Sequence, residues 1–418
     1  MLKNKERIMY FKNLEINSWQ QFERIDIDFN SRLTVLTGAN GSGKTTLLNI
    51  LSKHSGWSMN SLATPKKDKV TKVINYITRW WKGNNKSNET SIGKILYQNN
   101  TQSLIIIPNH NRAQYQVSLQ NPQQLKCFFI PSHRSIFKYQ KIDSIPTQKK
   151  TKQSAFQEVF SSTQQRFQAG THYSDNNSFL MKKTLVGWAI QGYGNEVMIP
   201  DQELINNYEG FKEVLKKVLP NTLGFENFEI RDMEIVFICN GGEDEFLLET
   251  ASGGISALID IAWQIYMYAT IENKEFTVII DEVENHLHPT MQRNILPRLL
   301  NAFPDAKFIV STHSPLIVGS VKESTTYALK YNENKKIESY KLDFQEQIKT
   351  ATEILDEVLG VSFTMPIWVE EKLTSIVDKY AKKEMTQEDF SSLRAELKEL
   401  GLEKLVPQAI MNIVGNRA

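Results

Sequence analysis

Cysteine is nearly missing from this chain: Cys127 and Cys239 are the only two in 418 residues. Two lone thiols cannot hold a metal cluster, and so few fit a reducing compartment. Long apolar runs are missing as well. None approaches the roughly 18 residues of a membrane span, and the opening MLKNKERIMYF has no apolar stretch after its lysines, so no signal peptide is expected. Glycine and proline are scarce, at 20 and 13 residues, which excludes a fibrous chain or a linker. An excess of charge is also missing. Forty-nine basic against 47 acidic side chains leave +2, which argues against a wholly basic nucleic-acid binder but not against a local basic patch. There is no internal repeat and no sustained heptad pattern. What is present is 40% hydrophobic residues, enough for a sizeable core in two or three domain-sized units or in one domain with a large insertion. The expectation is a soluble, cytoplasmic protein with no membrane contact.

Residues 6–37 alternate apolar and polar in three short runs, around Phe11, Leu14 and Ile16, around Ile25, Ile27 and Phe29, and from Leu33 to Leu36, which predicts three strands. Lysines and an arginine from Lys66 to Lys94 form a basic tract, and residues 140–178, rich in Gln, Ser, Thr and Lys, read as a mobile loop. Leu104–Ile107 and Phe128–Ile130 read as buried strands. Leu204, Tyr208, Phe211, Leu215 and Val218 mark the second of two helices, which stops at Pro220. Residues 225–320 show strand-helix-strand alternation with strongly apolar strands, the pattern of a sheet covered on both faces. Residues 345–415 read as amphipathic helices, with Pro366 at a first helical position, a capping box at Thr386 and Asp389, and Gly401 at a C-terminal cap.

Four segments carry chemistry. Gly38-Ala39-Asn40-Gly41-Ser42-Gly43-Lys44-Thr45 fits the phosphate-loop pattern between a strand and a helix that opens with Thr46. Its glycines let backbone N–H groups wrap a phosphate, Lys44 reaches the β- and γ-phosphates, and the Thr45 hydroxyl suits Mg²⁺. Phe276–Ile280 is an apolar strand ending in Asp281 and Glu282. Asp281 would hold Mg²⁺, and Glu282 would polarise the attacking water as general base. Ser252-Gly253-Gly254 precedes a helix and forms an anion site at its N-terminus. Nothing in this chain's own fold needs a second phosphate site, so a site acting in trans is expected. Finally, His313 ends the strand beginning at Lys307, 32 positions after Asp281, where it can meet a γ-phosphate.

Phosphate loop, SGG, DE and STHSP occur in the order of an ABC-type ATPase, and Asp281-Glu282-Val283-Glu284-Asn285-His286-Leu287-His288-Pro289 closely resembles the DEPExxLHP segment of the RecF, SMC and OLD branch. The resemblance implies an α/β ABC-ATPase head with three layers and a parallel core sheet, with ATP and Mg²⁺ as its ligands. It assigns Ser252 and Gly254 to the ATP of a second head and His313 to the switch position. It divides the chain into a head in two parts, 1–55 and 231–335, an inserted helical lid at 56–230, partly mobile and basic, and a helical tail at 340–418. Val283 replaces the usual proline, and Arg134 and Gln140 are the candidates for the glutamine-loop position.

Lys44 and Ser252 are 208 positions apart, too few for a long SMC-type coiled coil, and fewer than 100 residues without a DxD follow Ser320, too few for an OLD nuclease domain. A compact head with a lid and short tail most resembles the ATPase subunits of two-gene anti-phage systems of the Septu and PARIS type. That implies a head-to-head homo-oligomer, which could close into a ring of dimers, a separate nuclease-like effector docked on tail or lid, and a phage protein as trigger. The alternatives are a RecF-like repair ATPase that binds duplex DNA through the Lys66–Lys94 tract and a slow nucleotide-dependent scaffold. The tail carries 14 acidic and 10 basic side chains over residues 340–418, and an apolar stripe through Ile367, Leu373, Ile376, Val377 and Tyr380 that needs a cover, either the head or an effector.

Overall fold

The computed structural model describes residues 9–342 and 367–415, apart from 68–71, 73, 78–88, 110–111, 146, 170–175, 271–273, 382–385 and 404–405. It divides into two units, residues 1–354 and 355–418. Lys69, Arg79, Lys82 and Lys86 of the basic tract, and Pro366, lie outside the described residues.

The first unit is built on an eleven-stranded sheet. The three strands expected at the start form as β1 (Phe11–Trp19), β2 (Phe22–Asp28) and β3 (Leu33–Gly38), the first two antiparallel. Helix α1 (Lys44–Ser52) follows the loop after β3. The next segment departs from the helical lid expected at 56–230. Its first part is all strand: β4 (Asn60–Leu62), β5 (Thr64–Lys67), β6 (Ile74–Ile77), β7 (Glu89–Tyr97), β8 (Gln102–Pro108), β9 (Gln114–Gln116), β10 (Ser118–Gln120) and β11 (Cys127–Ile130). Strands β7, β8 and β10 extend the main sheet beyond β1, and β11 ends its other side. The lysine count hid this. Lys94 sits opposite Glu15 on β1 and makes a 3.1 Å ion pair with it, so it belongs to a cross-strand pair rather than to a basic lid.

Helices do fill the second part: α2 (Lys152–Ala169), α3 (Asn177–Tyr193) and α4 (Gln202–Val218). Nearly half of the loop expected at 140–178 is therefore helix α2. Its buried face is made of Ala155, Val159, Ser162 and Thr163, small and hydroxylated side chains that hide a helical period. Residues 225–247 also differ from the expected alternation, because β12 (Phe225–Arg231), β13 (Glu234–Cys239) and β14 (Asp244–Leu247) form a separate antiparallel sheet. The alternation then holds through α5 (Gly253–Tyr268), β15 (Phe276–Ile280), α6 (Pro289–Ala302), β16 (Ala306–Thr312), the short α7 (Pro315–Val318) and β17 (Thr325–Tyr331), before β18 (Ile337–Leu342) turns back antiparallel.

Strands β11, β15, β16, β3 and β17 run parallel in that order. Successive residues on a strand face opposite sides. Phe128, Ile130, Val278, Ile280 and Val310 enter the core under α2–α6, while Phe129, Ile279, Ile309 and Leu36 enter the core that holds Leu47, Leu48 and Leu51 of α1. Both faces are covered, which is why these strands read as unbroken apolar runs. Parallel strands also bring the residues after Gly38, Ile130, Ile280 and Thr312 to one edge.

In the second unit, α8 (Ile367–Ala381), α9 (Gln387–Glu399) and α10 (Val406–Gly415) share one apolar cluster. Leu373, Ile376, Val377 and Tyr380 are buried there with Leu393, Leu397, Ala409 and Ile413, so the tail stripe is covered by the tail's own helices. The side chain of Ile367 lies outside the described residues. Thr386 and Asp389 make the expected capping box, and Gly401 follows α9 in a left-handed conformation. Among the described residues no helix is long and apolar enough to cross a membrane.

Candidate nucleotide site

The loop after β3 curls over the start of α1. Gly43 has φ +85°, and a Cβ there would stand 2.3 Å from Cζ of Phe22, so the loop can lie on β2 only with glycine at this position. The Lys44 side chain is buried and folds back into the loop. Its Nζ donates to Gly38 O at 2.8 Å and Ala39 O at 3.1 Å, and it lies 3.2 Å from His313 Nδ1. Burial lowers the ammonium to about 8, against the pull of Glu284, Asp281 and Glu282. An ammonium can only donate, so Nδ1 of His313 accepts, and Nε2 of the same ring lies 3.6 Å from Glu282 Oε1.

At the end of β15, Asp281 is buried and accepts from Thr45 Oγ1 at 3.2 Å and Ser311 Oγ at 2.5 Å. Burial holds its carboxyl above the usual range despite both bonds. Ser311 Oγ also accepts from the Glu282 N–H at 2.8 Å, so one hydroxyl fixes both acids. Glu282 itself has φ +45°, a left-handed conformation that is strained for a side chain of this type. Its Oε2 accepts from Asn285 Nδ2 at 2.7 Å, and Asn285 Nδ2 also reaches Ser132 O at 3.1 Å. Glu284 Oε1 accepts from the His313 N–H, which ties the acidic turn to the loop after β16. Val283, in place of proline, is fully buried. Arg134 closes the site from the segment after β11, with its guanidinium on the carbonyls of Glu282 at 2.9 Å, Asn285 at 3.1 Å and Asp281 at 3.4 Å.

The sheet edge thus gathers the phosphate loop, Asp281, Glu282, His313 and Arg134. Gln140 is exposed, six residues further along. Ser252 and Gly253 are exposed at the N-terminus of α5, where the Ser252 side chain caps nothing. Gly254 packs closely, with Met291 Sδ at 3.1 Å and His286 O at 3.2 Å from where a Cβ would be. Sequence reasoning passed over Ser311 and Asn285 as functional side chains. Both lie inside segments already quoted for their neighbours, so the signal was their position within the motif.

A phosphate loop, a buried strand acid within reach of its threonine, a second acid and a histidine on one parallel sheet edge define a nucleoside-triphosphate-binding α/β protein. The chain belongs to the AAA family described as "AAA domain, putative AbiEii toxin, Type IV TA system", whose model matches residues 86–319, more than half of its length. It is 22% identical to the Septu protein PtuA of Bacillus thuringiensis over 87% of each chain. It is 25% identical to a retron Ec83 probable ATPase of Escherichia coli over 42% of this chain and 33% of that one. The curated relatives are matched over between 11% and 87% of their own length. Among solved structures, an Smc head bound to the C-terminal winged-helix domain of ScpA matches 81% of this chain and 98% of that chain, at 14% identity and a TM-score of 0.45.

Proposed function

We propose that this chain binds and hydrolyses ATP as an ABC-type head, works as a head-to-head homo-oligomer, and controls a separate effector protein in defence against phage. The observation that carries the ATPase reading is the 3.2 Å contact between the Thr45 hydroxyl and the buried Asp281 carboxylate. Two hard oxygen donors at the mouth of a phosphate loop fit Mg²⁺, which takes one or two protein oxygens and completes its shell from phosphates and water. The raised Asp281 carboxyl also fits, because a nearby cation would favour its charged form. When bound, the ion would neutralise charge between the β- and γ-phosphates.

The chain's own residues supply the rest. The loop N–H groups and Lys44 hold the triphosphate once Lys44 leaves the Gly38 and Ala39 carbonyls. Glu282 takes the proton of the attacking water, and its carboxylate is freed for this when Asn285 releases it. His313, already between Lys44 and Glu282, would turn to the γ-phosphate. The exposed Ser252 and Gly253 at a free helix N-terminus support a role in a second subunit's site.

The defence reading rests on the family and on the names of the relatives. The effector has no assigned surface: the tail stripe once offered for it is occupied by α9 and α10. The duplex-DNA reading loses Lys94 to its pair with Glu15.

The test is ATP turnover by the purified chain with Mg²⁺. Glu282→Gln should keep nucleotide binding and lose about 10³-fold or more in rate. Undiminished turnover would move the base elsewhere. Co-purification with the product of a neighbouring gene tests the effector, and its failure under native expression would leave no support for that part.

A further inference from the structure

We infer that Arg134 is a positioning residue for hydrolysis, holding the turn that carries Glu282, and that Asp260 on α5 is the counter-charge that keeps Arg134 in place. This rests on the ATPase reading above. A left-handed glutamate persists only where its surroundings over-determine it. Here the planar guanidinium spans the carbonyls of Asp281, Glu282 and Asn285, and Asn285 is the residue that holds the Glu282 carboxylate. A lysine has a point charge and no such fork.

A buried cation needs an opposite charge close by. Burial disfavours the charge of Arg134, and Asp260 on a different element, then Glu284, Asp281 and Glu282 of the turn itself, favour it. Asp260 is fully buried, which raises its carboxyl, while hydrogen bonds from Asn177 Nδ2 at 2.9 Å and Gln264 Nε2 at 2.9 Å and the cations Arg134 and Arg166 favour its charged form. The segment after Arg134 joins the same cluster. Ser135 Oγ donates to Asn176 Oδ1 at 2.8 Å, at the cap of α3, and the next residue is the Asn177 that holds Asp260. A continuous set of hydrogen bonds therefore runs from the Glu282 turn through residues 134–135 and the start of α3 to α5. Ser252 stands at the N-terminus of that same α5. The helix that would face a second subunit's nucleotide also braces the turn that carries the base.

The experiment uses the full chain with Arg134→Lys and Asp260→Asn, beside wild type and Glu282→Gln. Affinity is read with a fluorescent ATP analogue, turnover by phosphate release, and folding by thermal unfolding. Misplacing a catalytic group by about 1 Å costs about 100-fold. Arg134→Lys should therefore lose about that factor in kcat with ATP affinity unchanged, and Asp260→Asn should lose kcat in the same sense. Wild-type turnover in a folded Arg134→Lys protein, beside a slow Glu282→Gln protein, would overturn this inference alone. Affinity and turnover falling together would also overturn it, since that marks general loss of structure. If Arg134→Lys fails to fold, Asp260→Asn decides: undiminished kcat there refutes the coupling. Wild type that cannot hydrolyse ATP would overturn the ATPase reading and this inference with it.

Discussion

Lys44 offers the most quantitative test of the nucleotide site. Its ammonium is buried against two carbonyls, a hydroxyl and a histidine nitrogen, and burial lowers it to about 8. The difference from an ordinary 10.5 corresponds to a penalty of about 3 kcal/mol on the charged form. Its sign follows from proton counts. Between about 8 and 10.5 the unfolded chain binds more protons at this residue than the folded one. Lys44 therefore costs folded-state stability in full below pH about 8, and the cost fades as pH rises through that window.

A bound triphosphate reverses the environment, because its charges favour the ammonium. Binding should then take up a proton wherever the free protein has lost it. Affinity for ATP should be flat near neutral pH and weaken by about tenfold per pH unit above 8, until the ammonium of the bound form titrates. Fluorescent-analogue titrations across this range, with calorimetry in two buffers of different ionisation enthalpy, measure the affinity and the proton directly. Lys44→Met should bind weakly at every pH. It should also be more stable than wild type near neutral pH without nucleotide, by up to about 3 kcal/mol. Equal wild-type affinity at pH about 7 and about 9, with no proton uptake at the higher value, would refute the assignment of Lys44 to the triphosphate.

Three further outcomes are expected. Asp281→Asn removes a buried carboxyl held above its usual range, so the nucleotide-free protein should melt higher near neutral pH, where wild type bears the cost of the charge, while turnover loses its response to Mg²⁺; a lower melting point would contradict the burial argument. Mixing Lys44→Ala with Ser252→Arg protein should restore part of the ATPase activity that each lacks alone, since a mixed pair can contain one intact composite site, and full activity of either as a demonstrated monomer would defeat the trans arrangement. Leu397→Ala should cost the tail cluster about 2–5 kcal/mol, seen as lost hydrogen-exchange protection across α8–α10 with ATP binding unchanged; loss of protection in the head as well would show that the second unit is not self-contained.

The placement of the candidate residues was legible in the sequence because each sits at the end of an apolar strand or the start of a helix. Local pattern alone announces such places. Gly38–Thr45, Asp281-Glu282, Ser252 and His313 needed no tertiary knowledge, and neither did the capping box at Thr386. Sequence could not show that β7, β8, β10 and β11 belong to the main sheet. Strand pairing joins residues far apart in the chain, and Lys94 looks like any other surface lysine until Glu15 lies opposite it. Nor could it show that α8 covers its stripe with α9 and α10, because an amphipathic face specifies that a partner exists and not which one. The bracing of Glu282 was the least legible of all. Arg134 precedes that turn by 147 to 151 positions and bonds only to its backbone carbonyls, which every residue carries and no sequence motif records.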